Sequence, residues 1–391
     1  MPTESELDAI TLDQLRAVPS EKWSTYPDAI GAFVAEMDFG TAPAVRRALH
    51  DAVDTGQLGY LSGPPVARMQ EAYTGFAKRR FGWSVDPERV RPVPDVLAAF
   101  EATVRHLTPE GSPVVLPTPA YMPFAPFLHD LGREVIPVPF ARDGGRSVHD
   151  LDAVDAAFAR GAGLLVLVNP HNPTGRVFER AELEALSAVV ARHGGRVFAD
   201  EIHAPLVYAG HAHVPYASVS PTTAAHTVTA TSASKAWNVP GLKAAQLVLT
   251  DDDAAETWQR RCTWTEHLAA TPGVLAHAAA YDAGEDWLAD VLAYLDGSRR
   301  LVADHLAAHL PEVGHTPPEG TYLAWLDLRR YALDRPTAWL REHAGVALAD
   351  GRHCGAAGDG FVRLTLATPR PVLREILDRV TTALTTERRG A

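Results

Sequence analysis

Apolar runs of strand length alternate with stretches of helical period along most of the chain, with no 20- to 50-residue repeat or low-complexity block between them. Val45, Ala48, Leu49, Ala52 and Val53 recur at i, i+3, i+4, i+7 and i+8, which predicts a helix with one buried stripe. Residues 94–107 repeat the pattern through Leu97, Phe100, Val104 and Leu107. The runs VVLP (114–117), GLLVLVNP (163–170), GRVFADE (195–201), TVTATS (227–232) and AAQLVLT (244–250) read as short strands buried on both faces. Helical segments such as AELEALSAVVARHGG (181–195), closed by glycines, lie between some of them. Buried strands separated by helices predict an α/β fold with a mostly parallel sheet between helix layers. From about residue 286 the pattern restarts after a polar break. The expected division is an N-terminal arm with part of a small domain (1–45), a large domain (46–285) and a smaller α+β C-terminal domain (286–391).

Composition narrows the partners. A chain of 391 residues, 46% hydrophobic, can fill the cores of two or three lobes. A formal net charge of -12 argues against nucleic acid or an anionic membrane, which demand clustered lysine and arginine, and favours a small metabolite. Cys262 and Cys354 are the only cysteines, without disulfide framework or CxxC spacing, as suits a reducing cytoplasm. The start MPTESELDAITLDQL is acidic and polar where a signal peptide needs a basic then apolar run. Apolar stretches such as LLVLV (164–168) fall far short of the roughly 20 residues that span a bilayer. A cytoplasmic location is expected.

In open α/β sheets the ligand crevice lies beyond the carboxyl ends of the strands. Three polar segments follow strand-like runs: NPHNPTGR (169–176), DEIH (200–203) and SASK (232–235). The first alone is also what a plain turn looks like. DEIH resembles a nucleoside triphosphatase box, but the GxxxxGK[ST] loop is absent. SASK matches the S-x-x-K of serine acyl-transferring enzymes, without their S-D-N and K-T-G elements. His203, His211 and His213 indicate no third metal ligand by spacing.

Taken together, the segments supply what a pyridoxal 5′-phosphate site requires: an amine for a Schiff base, a carboxylate for the pyridine nitrogen and donors for a phosphate. Lys235 is the candidate amine and Asp200 the carboxylate. Lys243 and the Ser232 hydroxyl are candidate phosphate ligands, helped by the amides of Val96 and Leu97 at the start of the 94–107 helix, where the macrodipole favours an anion.

With these motifs in view, the chain resembles the fold-type I pyridoxal-phosphate enzymes, and among them the MalY/PatB type of cystathionine β-lyase. The resemblance runs over nearly the whole length through SEKWSTYP (20–27), AFVAEMDFGTAP (32–43), LGY (58–60), PTPAYMPF (117–124), NPHNPTGRVF, DEIHAPLVYAG (200–210), SASKAWNVPGLK, PEGTYLAWLDL (318–328) and GFVRLTLATPR (360–370). It implies a large domain with a seven-stranded sheet. It further implies that Tyr121 stacks on the pyridine ring, that Asn172 and His203 bond the ring's 3-oxygen side, and that Tyr60 reaches the phosphate of the neighbouring subunit in a homodimer. Arg363 is implied to bind the substrate α-carboxylate by a two-point fork. The alternation in FVRLTL puts Arg363 on the face opposite Val362, Leu364 and Leu366. Four positions depart from the pattern: Asp95 stands where many relatives have glycine, Glu36 replaces aspartate, Phe33 tryptophan and Thr365 asparagine.

The implied reaction is β-elimination from L-cystathionine or related cysteine S-conjugates, giving thiol, pyruvate and ammonia, with Lys235 as base. The rival within enzymology is an aminotransferase, which needs a keto acid to regenerate. The rival of another class is a regulatory partner built on the same fold, for which Lys235, Asp200 and Arg363 would be unnecessary.

Overall fold

The computed structural model describes residues 3–390. Seven strands form the central sheet: β1 (Val90–Val93), β2 (Val114–Thr118), β3 (Val135–Pro139), β4 (Leu164–Val168), β5 (Arg196–Asp200), β6 (Thr227–Thr231) and β7 (Ala245–Leu249). Their order is β1-β7-β6-β5-β4-β2-β3, and only β7 runs against the rest. The expected mostly parallel sheet is therefore present, with every predicted run in it.

The two-sided apolar pattern follows from the pleat, which sends successive side chains to opposite faces. On β4, Leu164, Val166 and Val168 pack with Ala99, Phe100 and Val104 of the helix Val96–His106. Leu165 and Leu167 instead join Val154 and Phe158 of the helix Leu151–Ala159 and Leu183, Leu186 and Val190 of the helix Arg180–Arg192. Val45 and Ala52 of the helix Pro43–Asp54 are buried as expected, but Val53 is 61% exposed. That helix packs against Thr271–Ala283, and Val53 is on the side turned to solvent.

The restart near residue 286 is the beginning of one long helix, Glu285–His309. Its first turns send Trp287, Leu288, Val291 and Leu295 into the large-lobe core, and its last turns send Val302 and Leu306 into a second core. The helix thus crosses from lobe to lobe. The second core covers one face of a four-stranded antiparallel sheet of Gly314–His315, Leu323–Asp327, Phe361–Thr365 and Ala349–Asp350. Helices Pro336–Ala344 and Arg370–Gly390 pack on it. Leu15, Trp23, Ile30 and Ala32 of the N-terminal arm are built into this core, and Ile30–Gly31 pairs in parallel with Val346–Ala347. Of the expected divisions, residues 1, 2 and 391 lie outside the described residues.

Candidate active site

The carboxyl ends of β4, β5 and β6 deliver Asn172, Asp200 and Lys235 to one cavity of about 480 Å³ between the lobes. Asp200 is the last residue of β5, with one carboxylate oxygen accepting the Ile202 amide at 3.1 Å. Burial pushes its pKa up to about 7; the amide bond opposes this, neighbouring Glu201 adds to it, and Lys235 pulls back. Lys235 sits on the turn Ala233–Ala236, its Nζ donating to the Ala35 carbonyl at 2.9 Å. Burial brings the amine down to about 8, Arg363 pushes the same way, and Glu36 and Asp200 resist. The amine and the carboxyl form no ion pair, so space remains between them.

Arg363 is buried on the strand Phe361–Thr365 of the small lobe. Its Nη1 donates to Asn172 Oδ1 at 3.0 Å and its Nη2 to the Phe33 carbonyl at 2.9 Å. Each terminal nitrogen keeps a second hydrogen, which is the pair of parallel donors a carboxylate takes. Tyr121 and His203 line the same cavity. Burial first, then the cations Lys235 and Arg363, hold His203 well below the usual imidazole range, so it is neutral, and its Nδ1 is buried without a partner.

Val96 and Leu97 line the cavity at the helix start, together with Lys243. Asp95 is the helix N-cap: one carboxylate oxygen accepts the Ala98 amide at 2.8 Å and the other meets Lys243 Nζ at 3.0 Å. It thus both caps the helix and stands beside the cation meant for an anion.

Two expected residues lie elsewhere in the single chain. Ser232 does not line the cavity, because its hydroxyl donates to the Ala244 carbonyl at 2.9 Å and accepts the Ser234 amide at 3.1 Å; Ser234 stands on the wall instead. Tyr60 is fully exposed and far from enclosed by its own chain. The irregular segment Phe33–Glu36 also lines the cavity, with Glu21, Met122 and Pro123. The motif AFVAEMDFGTAP covers the segment, but an irregular wall has no period from which a role could be read.

A buried amine, a carboxyl held near neutrality and an arginine fork define a site for a small amino or keto acid and for a carbonyl-bearing cofactor. The chain belongs to the aminotransferase class I and II family, whose model matches residues 30–380. It is 36% identical to the cystathionine beta-lyase of Corynebacterium glutamicum, covering 95% of this chain and 99% of that one. It is 31% identical to the cystathionine beta-lyase PatB of Bacillus subtilis over 91% of this chain and 93% of that protein. The solved structure of cystalysin from Treponema denticola, which contains pyridoxal 5′-phosphate, superposes with a TM-score of 0.90 at 26% identity, covering 96% and 98% of the two chains. The fold is that of the fold-type I pyridoxal-phosphate enzymes.

Proposed function

We propose that the protein is a pyridoxal 5′-phosphate-dependent C–S β-lyase that cleaves L-cystathionine or related cysteine S-conjugates to thiol, pyruvate and ammonia. The observation that carries this reading is the open couple of Lys235 and Asp200 facing one cavity with the Arg363 fork. The residues fit the cofactor: an amine near neutrality for its carbonyl, a protonatable carboxyl for its ring nitrogen, and Lys243 with the unbonded amides of Val96 and Leu97 for its phosphate. When bound, the cofactor supplies a ring that takes up the electron pair left as the Cα–H bond breaks. Asp200 keeps the proton at the ring nitrogen. Tyr121 is assigned to the ring face, and Asn172 and the neutral His203 to its 3-oxygen side. Arg363 holds the α-carboxylate, and the Lys235 amine takes the Cα proton and returns it to the departing sulfur.

The finer assembly is part of the same proposal: a homodimer in which Tyr60 reaches the neighbouring protomer's phosphate. In support, Leu58, Tyr60, Trp264 and Leu268 are among the few exposed large apolar side chains, and the Thr271 hydroxyl, bonded to the Gly59 carbonyl at 2.8 Å, ties their two segments together. Both cysteines are free and buried, and no helix among the described residues is long and apolar enough to cross a membrane; we assign the protein to the cytoplasm.

The test is L-cystathionine alone with the cofactor-loaded protein. Sustained release of pyruvate and thiol is expected, because elimination leaves the cofactor ready for the next turnover. A stop after about one turnover per site, relieved by adding a keto acid, would make the protein an aminotransferase and leave the roles of Lys235 and Asp200 in place.

A further inference from the structure

Five consecutive carbonyls, from Phe33 to Met37, each accept a hydrogen bond from a side chain, although the segment is neither helix nor strand. Phe33 takes Arg363 Nη2 at 2.9 Å, Val34 the Thr365 hydroxyl at 2.9 Å, and Ala35 both Lys235 Nζ and the Tyr322 hydroxyl at 2.9 Å. Glu36 takes Lys22 Nζ at 3.4 Å and Met37 the Asn238 amide at 2.8 Å. The strap therefore stands behind both cations of the site. It aims the Arg363 fork from one side while Asn172 aims it from the other, and it holds the free end of Lys235.

What fixes the strap lies outside the cavity. Lys22 Nζ meets Asp38 Oδ2 at 2.7 Å with side chains 1% and 5% exposed, and Trp23 Nε1 donates to Asp38 Oδ1 at 2.9 Å. The Asp38 amide donates to the Ala367 carbonyl, two residues beyond the strand that carries Arg363. The chain folds back on itself so tightly that a Cβ on Gly31 would collide with the Lys22 carbonyl. The lysine and tryptophan of SEKW and the aspartate of EMDF thus form one buried knot at the strap's end.

We propose that Lys22, Trp23 and Asp38 are positioning residues that lock the Phe33–Met37 strap, and through the Phe33 carbonyl set the orientation of the Arg363 fork for the substrate α-carboxylate. The inference rests on the proposed role of Arg363. A merely structural knot would stabilise the fold without favouring carboxylate-bearing ligands. A positioning knot discriminates between an amine with a carboxylate and one without.

The test uses the cofactor-loaded protein and two amines that carry no Cα hydrogen: α-aminoisobutyrate, and tert-butylamine, which has a methyl group in place of the carboxylate. Their dissociation constants are read from the cofactor's visible band, and hydrogen exchange is followed over residues 33–37. Lys22→Met leaves the Asp38 charge buried and unpaired and can fail to fold. The double variant Lys22→Met with Asp38→Asn removes both charges and keeps an acceptor for Trp23 Nε1. In either variant that folds, α-aminoisobutyrate is expected to bind about tenfold or more weakly, the worth of one misaimed charge-assisted bond, with tert-butylamine unchanged and exchange across the strap faster. The KM of a cysteine conjugate should rise more than kcat falls. Unchanged α-aminoisobutyrate binding, even with a lower melting temperature, overturns the proposal, as does an equal loss for both amines. The function and the clamp fail separately: absence of pyruvate from every conjugate refutes the lyase reading, while the two binding constants still judge the knot.

Discussion

Lys22 and Asp38 meet at 2.7 Å, and Trp23 completes the carboxylate's shell, whereas Lys235 and Asp200 face one cavity and form no ion pair. The residue types are the same and both couples are withdrawn from water. In the closed couple, short contacts compensate the cost of taking charges out of solvent, which a buried pair requires if it is to hold. In the open couple each charge has one backbone contact, Lys235 Nζ on the Ala35 carbonyl and the Ile202 amide on Asp200, and no ionic partner in contact. Burial then outweighs the pull of each on the other, lowering the Lys235 amine to about 8 and raising the Asp200 carboxyl to about 7, toward their uncharged forms. An amine so poised attacks a carbonyl, and a carboxyl so poised can hold or yield a proton. Function is signalled by the lysine that the fold leaves unpaired.

The sharpest way to break this contrast is to remove the open lysine. Lys235→Ala should lose the yellow colour of the loaded protein and at least about 10²- to 10⁴-fold of its pyruvate release, the range for a positioned acid–base group. Lys22 variants that fold should stay yellow. Borohydride reduction followed by peptide mapping checks the assignment, and a tag on any other lysine refutes it.

Smaller is the expected effect of Arg363→Lys, which keeps the charge and loses the planar two-point contact. A loss in kcat/KM of about 1–3 kcal/mol, roughly five- to 150-fold, follows from one charge-assisted bond. The strap sharpens this expectation, because a lysine there cannot reach the Phe33 carbonyl, Asn172 and a carboxylate at once. An unchanged ratio would return Arg363 to the structural side of the comparison.

Sequence alone was enough to place the open couple but not the closed one. Asp200 ends one buried strand and Lys235 lies four residues past another, so the apolar runs and the polar residues at their ends were sufficient to find them. The strap has no period, and its function is carried by backbone carbonyls that any sequence possesses. Ser232 shows a subtler limit: its position in SASK was readable, but which way its hydroxyl turns is decided by the Ala244 carbonyl across the neighbouring strand. The helix Glu285–His309 escaped a clean reading because its apolar side chains serve one core and then another, which blurs any single stripe. Tyr60 has its proposed partner in another copy of the chain, where no local pattern records it.

A last effect, on stability rather than turnover, tests the open couple without any chemistry. In the cofactor-free protein Asp200 has a folded-state pKa of about 7 against an ordinary carboxylate value of 3.8. A group whose pKa is raised on folding holds its proton longer in the native state, so its contribution is fully present below the unfolded value and is lost as pH rises through the folded one. The native protein should therefore lose stability on this account between about pH 4 and pH 7. Lys235, lowered from 10.5 to about 8, acts only above that window, where stability returns as pH climbs. Asp200→Asn has no proton to lose, so its melting temperature relative to the unaltered protein should climb from pH 4 to 7 and then level off. Adding pyridoxal 5′-phosphate should abolish or reverse the difference, because the ring nitrogen then supplies the partner that Lys22 already gives Asp38. Parallel melting profiles for the two cofactor-free proteins would mean that Asp200 is as well satisfied as Asp38, and the distinction between the open and closed couples would fall.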